Sequence, residues 1–240
     1  MDIIEFINYL PLYKLISLKI LAFDTSSNYC STALWIDGEI LSRSILAEQR
    51  HSELLLPTLQ ELLAESELTL VQLDGIAFGA GPGSFTGLRI ACGVAQGLAF
   101  GSSLPVIGIS TLEALAQQAG TDSVITAIDA RMGEIYHAAY VKSADGWEIV
   151  SVPTLCLPQY APLMSEGNWI GCGSGFDKYC DKLKNHYGSG ISRIEIGFVP
   201  HAREMAQLAE QGFKQGLGVN PVDATPIYIR NKIALKESER

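Results

Sequence analysis

The chain has 240 residues, a formal net charge of −9 and 48% hydrophobic residues. This composition supports a packed core in one large or two small domains and excludes an intrinsically disordered protein. Because 17 basic residues are scattered among 26 acidic ones, the chain lacks the clustered positive charge of a protein that binds nucleic acid by itself.

The first 18 residues form an apolar extension that Glu5, Pro11 and Lys14 interrupt. No basic region precedes the apolar part, so the extension is a poor signal peptide, and it is too interrupted for a membrane span. We interpret residues 1–18 as a mis-called start, with Leu18 at an alternative start codon.

The first predicted unit is a three-stranded meander followed by a helix. Apolar runs predict strands at 20–23, 30–35 and 39–46, and the pair Asp37-Gly38 is a hairpin signal between the last two. A broad leucine stripe predicts an amphipathic helix over 51–67.

A glycine-rich turn follows a strand predicted at 75–78. Gly79, Gly81, Pro82 and Gly83 break the strand pattern, and Ser84 is placed to cap a helix over 85–101. Such a turn directs backbone N–H groups and the positive end of a helix at one point, which suits an anion. The turn matches neither a Walker loop nor a dinucleotide fingerprint. An ordinary strand-to-helix connection is an equally good interpretation.

After a strand at 104–109 and a helix at 111–119, the opening pattern repeats. Strands are predicted at 124–128, 134–141 and 147–152. A turn that starts at Asp129 connects the first two, and a hairpin turn at Asp145-Gly146 connects the last two. The later elements are a strand at 169–170, a glycine turn at 171–175, helices at 176–186 and 201–216, and an extended tail at 221–229.

This duplication predicts an α/β protein with the two-lobe ASKHA fold of actin, Hsp70 and sugar kinases. We place the N-terminal lobe at 19–110 and the C-terminal lobe at 111–240, with the last helix and tail packing back on the first lobe. A single doubly wound sheet is the alternative.

In such a fold the paired aspartate and glycine turns face a cleft that holds phosphates and a metal. The candidate residues for a weak anion or nucleotide cleft are Asp24, Thr25, Ser26, Gly81, Gly83, Ser84, Asp129 and Gly173. Two features oppose this interpretation. The segment 24–27 has no glycine to let a phosphate approach the backbone, and Arg131 could neutralise Asp129.

No catalytic group, metal site or cofactor is predicted. The histidines His51, His137, His186 and His201 show no H-x3-H or H-x-x-H spacing, and no G-x-S-x-G elbow appears. The five cysteines contain no C-x2-C pair, so free thiols in a reducing cytoplasm are expected. A dispersed Ser–His–Asp set stays open.

The helix predicted over 85–101 carries two stripes of small residues at intervals of four. One stripe comprises Gly87, Ala91, Ala95 and Ala99, and the other Gly93, Gly97 and Gly101. Packing on the chain's own sheet accounts for one stripe, and a second stripe suggests another partner: the helix over 51–67, another subunit, or both. The predicted interface residues are Leu55, Leu59, Leu62, Gly87, Ala91, Ala95 and Gly97.

Four segments together resemble the TsaB family. They are 20–27 (ILAFDTSS), 51–57 (HSELLLP), 79–89 (GAGPGSFTGLR) and 129–136 (DARMGEIY). The resemblance extends from about residue 19 to 236, includes the tail over 228–234, and leaves residues 1–18 outside.

The resemblance implies a non-catalytic scaffold that binds TsaD, the paralogue that transfers a threonylcarbamoyl group to the N6 of the adenosine beside the tRNA anticodon. TsaE joins this assembly, and tRNA binds only through the complex. Alone, the chain is expected to be a cytoplasmic homodimer without membrane attachment. The paralogue's metal-binding H-x3-H pair falls on Thr111 and Leu115, which argues against metal-dependent catalysis. A metal-independent peptidase and a nucleotide-binding ASKHA protein remain as alternatives.

Overall fold

The computed structural model describes residues 18–165 and 167–230. Apart from Leu18, the extension that we interpret as a mis-called start lies outside the described residues. The end of the tail, from residue 231, also lies outside them.

The element order reproduces the predicted repeat. The first half contains β1 (Lys19–Asp24), β2 (Tyr29–Ile36), β3 (Glu39–Leu46), α1 (His51–Glu65), β4 (Gly75–Gly81), α2 (Phe85–Ser102), β5 (Val106–Ser110) and α3 (Thr111–Ala119). The second half contains β6 (Ser123–Arg131), β7 (Glu134–Ser143), β8 (Gly146–Cys156), β9 (Trp169–Cys172), α4 (Ser174–Tyr187), β10 (Ile191–Glu195) and α5 (Ala202–Lys214). Short 3-10 turns lie at Leu70–Gln72, Pro158–Tyr160, Gly188–Gly190 and Pro221–Asp223.

Two five-stranded sheets share one topology, which confirms the duplicated fold. The first sheet has the order β3-β2-β1-β4-β5, and the second, read from its other edge, has the order β8-β7-β6-β9-β10. In each sheet the first three strands form an antiparallel meander, and the last two run parallel to the first. The turns after β1, β4, β6 and β9 therefore lie at the carboxyl ends of parallel strands, where α/β sheets bind their ligands.

Local signals explain the best-predicted connections. Asp37 and Gly38 both have positive φ angles, 52° and 98°, which a two-residue hairpin turn requires. The Ser84 side chain accepts a hydrogen bond from the Gly87 amide and so caps α2. Strand β10 was not predicted, because it is a short edge strand whose residues are all exposed or half-buried and show no strict alternation.

One helix of each half packs on the sheet of the other half. α1 and α2 pack on one face of the first sheet, and α5 packs on its opposite face. α3, which follows the first sheet in the chain, packs on the second sheet with Leu112 and Leu115 in the core. Gln117 of α3 donates a 2.9 Å hydrogen bond to Gln207 of α5. These contacts connect the two sheets into one structure.

Candidate functional site

The turn after β1 folds around the carboxyl group of Asp24. Its Oδ1 accepts hydrogen bonds from the Ser26 amide at 3.1 Å and from the Ser26 hydroxyl at 2.9 Å. The Thr25 hydroxyl donates to the Gly87 carbonyl at 2.7 Å. All three side chains are buried. Apart from the Oδ2 atom of Asp24, the polar groups of these three side chains are thus bonded to the turn itself and to α2.

The glycine turn after β4 packs directly on this aspartate turn. The Ser84 amide donates to the Ser26 carbonyl at 2.8 Å. A Cβ atom on Gly83 would lie 2.7 Å from the Ser26 Cβ, and one on Gly87 would lie 1.8 Å from the Thr25 carbonyl oxygen. These glycines therefore allow close contact between two segments of the same chain, whereas a phosphate loop uses its glycines to admit a ligand.

Gly81 is also covered by the chain. Its φ angle of +116° lies in the region that favours glycine, and an added Cβ would come within 2.9 Å of Leu88 and 3.0 Å of the Ile227 carbonyl oxygen. The tail of the chain therefore lies over the glycine turn.

The Asp24 carboxyl is electrostatically unusual. Burial raises its pKa to about 7, although the hydrogen bonds from the Ser26 side chain and backbone act in the opposite direction. Among the described residues, its Oδ2 has no hydrogen-bond partner. A Cβ on Gly79 would lie 1.9 Å from this oxygen, so the missing side chain of Gly79 provides the space for the carboxyl group. A carboxyl group in such an apolar position favours its protonated form.

Asp129 occupies the matching position after the core of β6, but its surroundings differ. Lys178 donates to its Oδ2 at 2.8 Å, while the Arg131 amide and the Tyr179 hydroxyl donate to Oδ1 at 3.1 and 3.3 Å. Burial raises the pKa of Asp129, but the hydrogen bonds from Lys178 and Arg131 outweigh it and hold this pKa below its ordinary value. The charged partner is therefore Lys178, and Arg131 contributes its backbone N–H.

The second glycine turn, like the first, packs directly on other segments of the same chain. Gly173 has a φ angle of +99°, and an added Cβ would lie 2.4 Å from the Ala127 carbonyl oxygen and 3.0 Å from Leu115. Thr111 and Leu115 are both buried, and the Thr111 hydroxyl donates to the Pro82 carbonyl. Both side chains thus serve the packing of this chain.

The structure separates the seven predicted interface residues into a buried and an exposed group. Six of them are buried within this chain: Leu55, Leu59, Leu62, Gly87, Ala91 and Ala95. Gly97 is exposed, as are Gly93 and Gly101, and a Cβ on any of the three would meet nothing within 4 Å. The outward stripe of α2 is therefore Gly93, Gly97 and Gly101.

The histidine contacts bear on the peptidase alternative. The Nε2 atoms of His51 and His186 lie 3.0 and 2.8 Å from backbone carbonyl oxygens, and that of His137 lies 2.8 Å from the Tyr187 hydroxyl. Burial lowers the pKa of His137 to about 4, so its ring is neutral near pH 7. These contacts pair the three rings with carbonyl oxygens and a phenol, whereas a hydrolytic base needs a serine or cysteine nucleophile beside it.

Sequence reasoning missed two sets of residues at this site. Lys178 and Tyr179 reach Asp129 from α4, and Tyr228 and Arg230 of the tail reach α2 and the β6–β7 turn. The partners are separated by about 50 to 140 positions along the chain. No local pattern marks such pairs, because only the packing of α4 and the tail brings them together.

Comparisons with known proteins place this arrangement in context. A family model described as TsaD, tRNA N6-adenosine threonylcarbamoyltransferase, matches residues 42–161. The chain is 38% identical to the tRNA threonylcarbamoyladenosine biosynthesis protein TsaB of Escherichia coli (strain K12), covering 92% of this chain and 98% of that protein. It is 39% identical to the protein of the same name from Haemophilus influenzae, covering 92% and 97%.

Solved structures agree with these relatives. YeaZ from Pseudomonas aeruginosa has a TM-score of 0.82 and 36% identity over 88% of this chain and 99% of that one. A second structure, described as an uncharacterized protein with similarity to peptidase YEAZ from the same organism, has a TM-score of 0.83 and 35% identity over 89% and 100%. Within the described ranges, no helix is both long and apolar enough to span a bilayer.

Proposed function

Because the chain belongs to the TsaB family of tRNA threonylcarbamoyladenosine biosynthesis proteins, we propose that it is a non-catalytic accessory subunit that acts by binding TsaD. In this role it supports transfer of the threonylcarbamoyl group to the N6 of the adenosine beside the anticodon. It works in the cytoplasm together with TsaE and contacts tRNA only through the complex, consistent with its net charge of −9.

The observation that carries this proposal is the direct packing of the glycine turn on the aspartate turn. Gly83 and Gly87 contact the turn at Thr25 and Ser26, and Leu115 is a core residue. A site that transfers an acyl group needs an accessible cleft with groups aimed at the reacting atoms. Here those positions are filled by the chain itself, which supports a role in assembly.

The outward face of α2 supports a protein partner. Gly93, Gly97 and Gly101 leave a flat strip on the helix, and Phe100 beside it is 72% exposed. On α1, Leu56 is 45% exposed. A strip without side chains lets another helix approach closely, and exposed apolar groups beside it supply area to bury.

The match to a TsaD family model over residues 42–161, which include α1 and α2, suggests the geometry of pairing. Two chains with the same helix pair can associate about a pseudo-twofold axis and form a four-helix bundle. A second copy of this chain would use the same surface, so we propose that the homodimer and the TsaD complex exclude each other.

A reconstitution tests the function. TsaD, TsaE, tRNA and the enzyme that makes threonylcarbamoyl-adenylate are incubated with and without this chain, and the modified nucleoside is measured by mass spectrometry. We expect modification with the chain and little or none without it. Full modification in its absence would contradict the accessory role, and modification by this chain without TsaD would contradict the non-catalytic role.

A further inference from the structure

The segment 224–230, which we name the strap, begins at Ala224, which packs against α2 in the core that covers the first sheet. Ala224 is buried, and its carbonyl oxygen accepts hydrogen bonds from the Cys92 thiol at 3.4 Å and from the Gln96 amide at 3.0 Å. Cys92 itself is only 6% exposed. The start of the strap therefore covers a thiol on α2.

The strap then crosses the end of β4 and the first turn of α2. The Ile227 amide donates to the Ala80 carbonyl at 2.7 Å. The Tyr228 ring lies 5.7 Å from the Phe85 ring, and its hydroxyl accepts a hydrogen bond from Arg89 at 3.2 Å. Backbone pairing and an aromatic contact thus hold the middle of the strap above the glycine turn.

The end of the strap reaches the second sheet. The Arg230 guanidinium contacts the Glu134 carboxylate at 2.7 Å and donates to the Ala130 carbonyl at 3.1 Å. Glu134 begins β7, and Ala130 lies at the end of β6. One short segment is therefore bonded to α2 and β4 on one side and to the β6–β7 turn on the other.

We propose that the strap is a releasable gate, which joins the glycine turn after β4 to the β6–β7 turn and shields Cys92 when it is docked. Its anchors are a few polar contacts, and the side chains of Ile227 and Tyr228 remain 41% and 47% exposed. A segment with so little buried area opens more readily than the core unfolds. This inference does not depend on the proposed function.

Thiol alkylation followed by peptide mass mapping tests the gate, because each cysteine reports separately. Cys92 reports release of the strap, while Cys30 and Cys172, both fully buried, report global unfolding. In Arg230→Ala and in Glu134→Gln we expect Cys92 to be alkylated about fivefold faster or more, with Cys30 and Cys172 unchanged. The double swap Arg230→Glu with Glu134→Arg should restore protection.

Arg193→Ala is the matched control, because it removes an exposed ion pair with Glu195 that does not involve the strap. Its Cys92 rate should equal that of the wild type. An unchanged Cys92 rate in both strap variants would overturn the proposal. Equal acceleration of Cys30, Cys92 and Cys172 would also overturn it, because the ion pair would then stabilise the whole fold.

Hydrogen exchange of the wild-type protein gives a test without mutation. The Ile227 amide should exchange through an opening that depends little on denaturant, whereas the Ala77 amide in the centre of β4 should exchange only through global unfolding. If the two amides share one opening free energy at all denaturant concentrations, the strap is part of the core and the gate does not exist.

Discussion

Gly87, at the start of α2, lies against the carbonyl group of Thr25 so closely that a Cβ atom at this position would be 1.8 Å from the oxygen. The Thr25 hydroxyl in turn donates to the Gly87 carbonyl at 2.7 Å. This reciprocal contact fixes the glycine turn on the aspartate turn, and the first prediction tests its contribution to stability.

Gly87→Ala should destabilise the protein by about 2 kcal/mol or more, because a backbone oxygen cannot move aside as a flexible side chain would. This loss outweighs the gain of up to about 1 kcal/mol that alanine brings to a helix interior. Gly93→Ala is the matched control. It lies on the same helix with nothing within 4 Å, so it should be neutral or stabilising. Urea unfolding measures the stability of both variants. Equal effects of the two substitutions on stability would contradict the close contact between Gly87 and Thr25.

Asp24 should make stability depend on pH. Its pKa is raised from 3.8 to about 7 in the folded chain, so between these values the folded state holds a proton that the unfolded state has released. Wild-type stability should therefore fall as the pH rises from about 4 to 7. Asp24→Asn removes this dependence, so the stability of the variant relative to wild type should rise over the same pH range. The expected rise is a few kcal/mol, because a shift of one pKa unit corresponds to about 1.4 kcal/mol.

The measurement is chemical denaturation at several pH values from 4 to 8. Asp181→Asn, which removes a carboxylate from an exposed position of α4, controls for the general loss of a negative charge. Parallel stability curves for wild type and Asp24→Asn would show that the Asp24 carboxyl is not held protonated.

Gly97→Leu should leave the fold intact and weaken pairing with TsaD and with a second copy by about tenfold or more, because a leucine on the flat strip keeps a partner helix away. Gly97→Ala is the control and should pair nearly as well as wild type. Light scattering after size exclusion measures pairing with a second copy, a TsaD pull-down measures pairing with TsaD, and circular dichroism reports whether the protein is folded. A folded Gly97→Leu protein with wild-type pairing would place the interface elsewhere.

Ala95→Trp should behave differently from Gly97→Leu, although both enlarge a small residue of α2. Ala95 is fully buried, so tryptophan there overpacks the core and should cost about 1–3 kcal/mol or more of stability. Its thermal unfolding should show this loss, whereas that of Gly97→Leu should not. Equal melting temperatures for the two variants would contradict the assignment of the buried stripe.

The isolated chain should not bind magnesium–ATP up to about 1 mM, the upper end of the range in which enzymes usually saturate. The physical reason is that the glycine turn and the aspartate turn already contact each other through Ser84 and Ser26 at 2.8 Å. Isothermal titration calorimetry measures binding of magnesium–ATP, with an ATP-binding sugar kinase as the positive control. Saturable binding of one nucleotide per chain, abolished by Asp24→Asn, would restore the nucleotide-cleft interpretation.

The sequence by itself determined most of the elements, β10 excepted, and their duplication, because these depend on neighbours in the chain. Asp37-Gly38 specifies a tight turn, and Ser84 caps the helix that it precedes. The repeated order of apolar runs and turns then predicts two related sheets. Even the position of Asp129 after the core of β6 follows from this repetition.

Only the tertiary structure decided which surfaces and charges are available. Gly87 and Gly97 are both small residues on one helix, and no local property says that the first faces the sheet and the second faces outward. Lys178 neutralises Asp129, and Arg230 closes the strap on Glu134, across long separations in sequence. Burial and pairing depend on how whole elements pack against each other, and that information does not lie in any single segment of the chain.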